Sequence, residues 1–453
     1  MVRQLFALIT VLIASAEARP ALAFEKSFWV WQRSSPLSPE ETRLIREAGV
    51  SRIYWHIGEL VNAGNDWHWN SRFPLPTSAD LRFVPVVRLI SNEQHPFNER
   101  SVDRLCSVLE CPAQSNHPIQ FDYDCPDRLI PEYANALKSL QYPGAITITG
   151  LPHWAGNGAL QSFHGCVDAI FPMFYDFQSE PILPNEGPRP LIAPDGMNQM
   201  LHEWSSCPLP WYAGLPNFSR LTAYDSNGKS RGQIRNWTWD EVTFQQGLTG
   251  EAGKNAGVFI FRVMRSLRIS KSELPNGDRL VVRLTRPDLL EQATVAAEKA
   301  GAQGVVFFRL PEGSVASNGC SIRQLAHPES KSELIVAKGA SGASLQVTNK
   351  GAGDLFPLPS SASGRGYWLE LSSDSPIFRE AEPGDFAPIV RASDGQGGRQ
   401  VSLPFARVIA FGFSNLAAGQ QLESGLIQLA PGVSFNQTRY RIQPIEHEWK
   451  PLE

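Results

Sequence analysis

The stretch IQFDYDCPDRL, residues 119 to 129, ends a short apolar run with two carboxylates, Asp122 and Asp124, one residue apart. The run has the near-continuous apolar character of a parallel strand buried on both faces. Behind it, LIPEYANALKSL (129 to 140) spaces its apolar residues at three and four, which is the helical signature. A strand followed by a helix is the repeating unit of an α/β fold.

The same unit recurs in both directions along the chain. Short β-rich runs lie at 28 to 33 (FWVWQR), 52 to 60 (RIYWHIGEL), 82 to 90 (RFVPVVRLI), 119 to 124, 145 to 152 (AITITGLP), 169 to 176 (AIFPMFYD), 211 to 218 (WYAGLPNF) and 304 to 311 (GVVFFRLP). Helix signals separate several of them. In SPEETRLIREAG (38 to 49), Ser38 is an N-cap, Pro39 takes the first helical position, Glu41 completes a capping box and Gly49 marks the stop. A third helix is expected over 286 to 301. Eight strands with intervening helices over roughly 280 residues predict a (β/α)8 TIM-like barrel, with a doubly wound open sheet as the competing arrangement. The predicted barrel domain covers 24 to 326. Residues 257 to 284 do not fit the alternation and read as a hairpin inserted after the seventh strand, with Asn276-Gly277 as its turn. From 327 to 453, alternating apolar segments between turns rich in Gly, Ser, Asp and Pro predict a small all-β sandwich.

The chain opens MVRQLFALITVLIASAEARPALAF, with Arg3, an apolar run and an A-x-A site at Ala21 to Ala23. Residues 1 to 23 therefore read as a signal peptide, and the mature chain is expected to be exported, periplasmic or extracellular, with no membrane span. Hydrophobic residues at 42% and charged residues at 19% are globular values, and a net charge of -4 offers no basic surface for nucleic acid. Six cysteines in an exported chain allow up to three disulfides, and Cys106 with Cys111 is the first expected pair; buried free thiols are the alternative.

Polar residues at the C-terminal ends of parallel barrel strands face the mouth where chemistry occurs. Side chains alternate along a strand, so Asp122 and Asp124 point the same way, roughly 6 to 7 Å apart. Two carboxylates that close in a partly dry pocket do not both ionise freely, and one is expected to keep its proton near neutral pH as a general acid. The plainer reading pairs them with an arginine such as Arg88 or Arg309. Asp127 reads as the N-cap of the following helix.

FDYDCP resembles the DxDxE motif of the chitinase-type glycoside hydrolases. Aligned on Pro126, Gln120 falls on the first acid of that motif, Asp122 on the second, and Asp124 on the glutamate that protonates the leaving oxygen. Met173-Phe174-Tyr175-Asp176 is similar to the MxYD motif of the same superfamily, which implies that Tyr175 and Asp176 hold the acetamido group of the substrate. The resemblance implies a substrate-assisted, retaining reaction without a cofactor. Two departures stand out: Gln120 replaces an acid, and Asp124 is a methylene shorter than glutamate. Residues 28 to 311 together with the β tail also resemble a family of exported bacterial proteins that goes by a domain-of-unknown-function label. That resemblance implies a barrel and no particular activity.

Further candidates at strand ends are His56 and Glu59 on the second strand, His153 and Trp154 after the fifth, and Arg309 on the eighth, each placed to orient a substrate hydroxyl or the acid. Glu59 is the reserve general acid. Ten of the twelve tryptophans lie between Trp29 and Trp239, and an amphipathic ring suits a pyranose face. Core packing is expected for Trp29 or Trp31, one of which should face the helices. The binding site is expected for Trp67, Trp69, Trp237 and Trp239. No HExxH, GxSxG, GxxxxGK[ST] or helix-opening GxGxxG occurs, which removes the zinc peptidase, α/β-hydrolase, P-loop and dinucleotide readings. No metal site is expected, although a divalent ion on Asp122 and Asp124 is conceivable. The sequence thus predicts a glycoside hydrolase for an N-acetylhexosamine-containing polysaccharide. The alternative is a non-catalytic glycan-binding or envelope structural protein on a degenerate barrel.

Overall fold

Phe28, Val30, Ile53, Trp55, Phe121, Ile148 and Ile170 turn one way from their strands, and Trp29, Tyr54, Val86, Phe171 and Val306 turn the other. Both sets are buried, the condition that a parallel sheet covered on each side imposes. In the computed structural model this sheet has eight parallel strands: β1 (Glu25–Val30), β2 (Arg52–Ala63), β3 (Arg82–Ile90), β4 (Ile119–Asp122), β5 (Ile146–Gly150), β6 (Ala169–Pro172), β7 (Tyr212–Pro216) and β8 (Gly304–Phe308). The structure describes residues 24–452 apart from 65, 93, 110–115, 141, 176–179, 253–254, 312–318, 359–364 and 396–398. The expected signal peptide, Cys111 and Asp176 therefore lie outside the described residues.

The strands neighbour one another in chain order, and β8 returns beside β1 with Phe308 opposite Trp29. The remaining seam, β6 to β7, is made by the isolated bridges Ile170 to Trp211 and Met173 to Gly214. The result is a nearly closed barrel with the helices outside, as expected. Trp29 and Trp31 both point into the barrel, contrary to the expectation that one faces the helices. Positions two apart on a strand share a face, so Phe28 and Val30 take the outward places.

Around the sheet run α1 (Pro39–Glu47), α2 (Glu99–Val108), α3 (Ile130–Ser139), α4 (Pro194–Trp204) and α5 (Pro287–Lys299). The predicted capping box opens α1: Glu41 N–H donates to Ser38 Oγ at 3.1 Å, and Ser38 N–H donates to Glu41 Oε2 at 2.7 Å. The Glu41 carboxylate also receives Arg33 in a two-pronged ion pair, at 2.8 and 2.9 Å. Asp127 is not the cap of α3. It opens a short 3-10 turn, Asp127–Leu129, and contacts His153 Nε2 at 2.8 Å.

Strand β2 outruns the barrel and folds back against Asp66–Arg72 as a hairpin above the mouth. A bulge between His56 and Gly58 shifts the register with β3, and the two strands stay paired up to Val61 and Ile90. Gly58 sits at φ 146°, and a Cβ there would stand 2.1 Å from the Ser71 carbonyl oxygen, so no other residue fits the crossing.

Between β7 and β8 the chain builds more than a hairpin. Strands Val258–Val263 and Arg279–Arg283 do pair antiparallel, but within a five-stranded sheet that starts at Arg220. Asn276 and Gly277 form a turn closed by Asp278 N–H on the Pro275 carbonyl at 3.2 Å. That turn joins the small hairpin at Leu267–Leu274 to Arg279–Arg283. Trp237, Trp239, Val242, Phe261 and Leu280 form the sheet's own core, closed by the helix Trp239–Phe244.

From Leu334 to Pro451 the chain is all antiparallel β. A five-stranded sheet, centred on Tyr367–Ser372 and Val408–Phe413, shares one core with a three-stranded and a two-stranded sheet. Cys125, Cys166, Cys207 and Cys320 are free thiols. Among the described residues no helix is long and apolar enough to cross a membrane.

Candidate active site

Register and alternation decide what β4 sends into the barrel. Gln120 and Asp122 point inward while Phe121 and Tyr123 join the outer core. Gln120 stands opposite Thr147 on β5, so Asp122 stands level with Thr149. Gln120 accepts a hydrogen bond from Trp29 Nε1 at 2.6 Å. The residue aligned with an acid in the chitinase motif is therefore a structural amide that satisfies a buried indole.

Asp122 closes the strand. It is buried, and its Oδ1 accepts a hydrogen bond from Thr149 Oγ1 at 2.8 Å. Asp124 lies past the strand end on the same side, and 57% of its side chain is exposed, against 9% for Asp122. Arg88, at the mouth end of β3, reaches both: Nη2 is 3.4 Å from Asp124 Oδ2, and Nε is 4.0 Å from Asp122 Oδ2. The plainer reading of a pairing with Arg88 thus applies, in the form of one guanidinium shared by two acids.

Burial dominates the titration of Asp122, and the neighbouring charge of Asp124 adds to it. Arg88 and the Thr149 hydrogen bond oppose them, and the balance raises the carboxyl to about 6. The carboxyl raised toward neutral pH is accordingly the inner one, Asp122, whereas the sequence pattern assigned the acid's part to Asp124.

Tyr175 follows β6 and lies inside the barrel, its ring stacked on Phe308 at 5.7 Å and edge-on to Phe218 at 5.8 Å. Burial, and then the charges of Asp122 and Asp124, push its hydroxyl well above the ordinary range. It therefore lies within electrostatic reach of the two acids. Asp176, the other half of that motif, lies outside the described residues.

His56 and Glu59 approach from β2. The imidazole is buried, stacks on Trp31 with ring centroids 4.0 Å apart, and has no hydrogen-bond partner on either nitrogen. Burial lowers it to about 4, with the charge of Glu59 pulling the other way. Glu59 Oε2 accepts from Asn70 Nδ2 of the hairpin at 3.1 Å, and its charge reaches both His56 and Asp122. His56, Glu59, Arg88, Asp122, Asp124 and Tyr175 thus form one electrostatic cluster at the mouth.

Other candidates part from it. Trp154 is fully buried and stacks on Phe163 in the layer between sheet and helices, because the 3-10 turn Pro152–Asn157 folds it outward. Trp67 is core as well, its Nε1 donating to the Ser101 carbonyl at 3.0 Å. Trp237 and Trp239 pack edge to face in the inserted sheet. Trp69 alone of that group stays partly exposed, under Arg72 on the hairpin. Arg309 is half-buried at the end of β8, with its carbonyl bound by Asn217 Nδ2 at 3.1 Å. Thr149 is a site residue beyond those expected, although ITITG marks it: a polar residue two places from Thr147 on an otherwise apolar strand. Among the described residues no group of three or more His, Cys, Asp or Glu side chains is arranged to hold a metal ion.

No protein-family model and no curated protein sequence matches the chain. Solved structures do resemble it. A chitinase from Chromobacterium violaceum is 12% identical over 63% of this chain and 94% of that one, with a TM-score of 0.42. A glycoside hydrolase family 18 N-acetylglucosaminidase from Paenibacillus barengoltzii is 11% identical over 63% and 95%, with a TM-score of 0.43. A family GH18 chitinase from Chromobacterium violaceum is 9% identical over 95% and 92%, with a TM-score of 0.42.

Proposed function

We propose that this chain is an exported glycoside hydrolase acting on a polysaccharide that contains N-acetylhexosamine. The observation that carries this reading is the buried Asp122, its carboxyl raised to about 6, beside the solvent-facing Asp124 in the barrel mouth. Asp122 stores the proton that the reaction uses. Asp124 meets the substrate and passes that proton to the glycosidic oxygen as the C1–O bond breaks. The acetamido carbonyl oxygen supplies the electron pair that forms the new bond at C1, which dispenses with an enzyme nucleophile. Water then adds at C1, opens that ring and returns its proton to the pair. Tyr175 is the hydroxyl placed to hold the acetamido group in line. Glu59 and His56 border the same cavity and orient sugar hydroxyls.

One contact favours a second reading, a glycan-binding barrel without turnover. Arg88 Nη2 stands 3.4 Å from Asp124 Oδ2, and a cation at that place opposes proton delivery from it. Turnover of chromogenic and polymeric N-acetylhexosamine substrates by wild type, Asp122→Asn and Asp124→Asn separates the two. Cleavage by wild type with loss in both variants supports the hydrolase. Glycan binding with no product from any of the three proteins replaces it with the binding module.

A further inference from the structure

Away from the barrel mouth, a cleft of about 510 Å³ lies between the inserted sheet and the C-terminal β domain. Its walls include Thr243, Phe244 and Gln246 from one side and Arg365, Arg391 and Gln400 from the other. Cavities of this size are typical of small-molecule sites.

Two guanidinium groups face this space, and no carboxylate pairs with either among the described residues. Arg365 is braced on neutral carbonyls, with Nη2 at 2.8 Å from Gln245 O and Nη1 at 3.5 Å from Val242 O. Arg391 lies over Trp368, its Cζ 3.6 Å from the ring centroid, and its guanidinium makes no hydrogen bond among the described residues. The nearest balancing acid is Glu370, which Arg441 already engages at 2.6 Å. Burial, and then the charge of Arg391, pull Arg365 down from its ordinary value. Two like charges fixed side by side and unneutralised cost energy that an incoming anion relieves.

A second observation comes from the opposite wall. Thr243 is fully buried, lines the cleft, and its Oγ1 has no hydrogen-bond partner. A buried hydroxyl left unpaired costs on the order of 1–3 kcal/mol, so one in the wall of this cleft calls for a partner.

We propose that this cleft binds an acidic saccharide unit, whose carboxylate is held by Arg365 and Arg391 and whose hydroxyls meet Thr243, Gln246 and Gln400. A planar carboxylate matches the guanidinium fork, and Arg391 is already oriented by its aromatic floor. The site is separate from the barrel, and it stands whether or not the barrel cleaves glycans.

Titration calorimetry of the full mature chain with D-glucuronate, D-glucose and inorganic phosphate tests this. Saturable binding of D-glucuronate, none of D-glucose and weaker binding of phosphate are expected. Arg391→Gln should weaken D-glucuronate by about tenfold or more, the loss of one charge-assisted contact. This variant gives up the contact with Trp368, so its thermal midpoint should fall slightly, and less than that of Arg365→Gln, which loses two carbonyl contacts. Thr243→Val should weaken binding as well. D-glucuronate binding no better than D-glucose overturns the proposal, as does binding that survives Arg391→Gln and is lost in Arg88→Gln. Phosphate that binds as tightly through the same arginines overturns the saccharide assignment.

Discussion

The Thr149 hydroxyl donates to Asp122 Oδ1 at 2.8 Å, and this bond joins the mouth ends of two neighbouring barrel strands. It favours the ionised carboxylate and so opposes the burial that raises Asp122. Thr149→Val keeps the shape and removes the donor. Asp122 should then titrate higher than in wild type, and the fold should lose about 1–3 kcal/mol at neutral pH. Carbon-detected NMR of the carboxyl checks this, and an unchanged or lower titration point would sink it.

Asp122 and His56 make opposite demands on pH. The folded Asp122 carboxyl is raised from 3.8 to about 6, so its contribution to stability is fully present below pH 4 and lost as pH rises through 6. The folded His56 is lowered from 6.5 to about 4, so its contribution is present above pH 6.5 and lost as pH falls through 4. Each shift is worth on the order of 3 kcal/mol, and over the shared window they largely cancel. Asp122→Asn should leave a stability that rises with pH between 4 and 6.5, and His56→Phe one that falls. Denaturant midpoints measured across this range decide it; parallel slopes in the two variants would contradict the assignment.

Arg88 lowers both of these groups. In Arg88→Gln, Asp122 and His56 should both titrate higher than in wild type by NMR. If Asp124 delivers the proton, any hydrolytic activity should also persist to higher pH, because the acid pair loses the cation that stabilises its charge. A shift of the two groups in opposite directions would show that Arg88 acts on only one of them.

The tryptophans divide by what surrounds them. Trp239→Ala opens a cavity in the core of the inserted sheet and should cost about 3–5 kcal/mol, with glycan affinity at the barrel unchanged. Trp31→Ala uncovers one face of His56, and the imidazole should titrate closer to its ordinary value because burial is the main cause of its shift. Proton NMR of the histidine C–H resonances reads the second effect, and calorimetric unfolding the first.

The barrel was legible because its determinants are local and repeated. Six of the eight strands lie within their expected runs, while the first starts three residues early at Glu25 and the second continues three residues further to Ala63; an apolar run bounded by turn residues and followed by a 3.6-residue period admits few alternatives. The capping box at Ser38 and Glu41 was legible for the same reason. The inserted sheet was underestimated because its pairing is long-range: Arg220 meets Arg283 across more than sixty intervening positions, and no local period announces that.

Sequence alone determined which strand ends would carry acids, because alternation along β4 fixes Gln120 and Asp122 on one face and sends Phe121 to the other. Only the tertiary structure decided that Asp122 is the buried acid whose carboxyl is raised. That depends on a difference in burial between Asp122 and Asp124, on Thr149 standing level across a strand boundary, and on one guanidinium from β3 reaching both carboxylates. Likewise, WHW and WTW announced aromatic surface, and folding placed Trp67, Trp237 and Trp239 in cores. A side chain's type is written in the chain; its solvent and its neighbours are set by segments distant in sequence that packing brings against it.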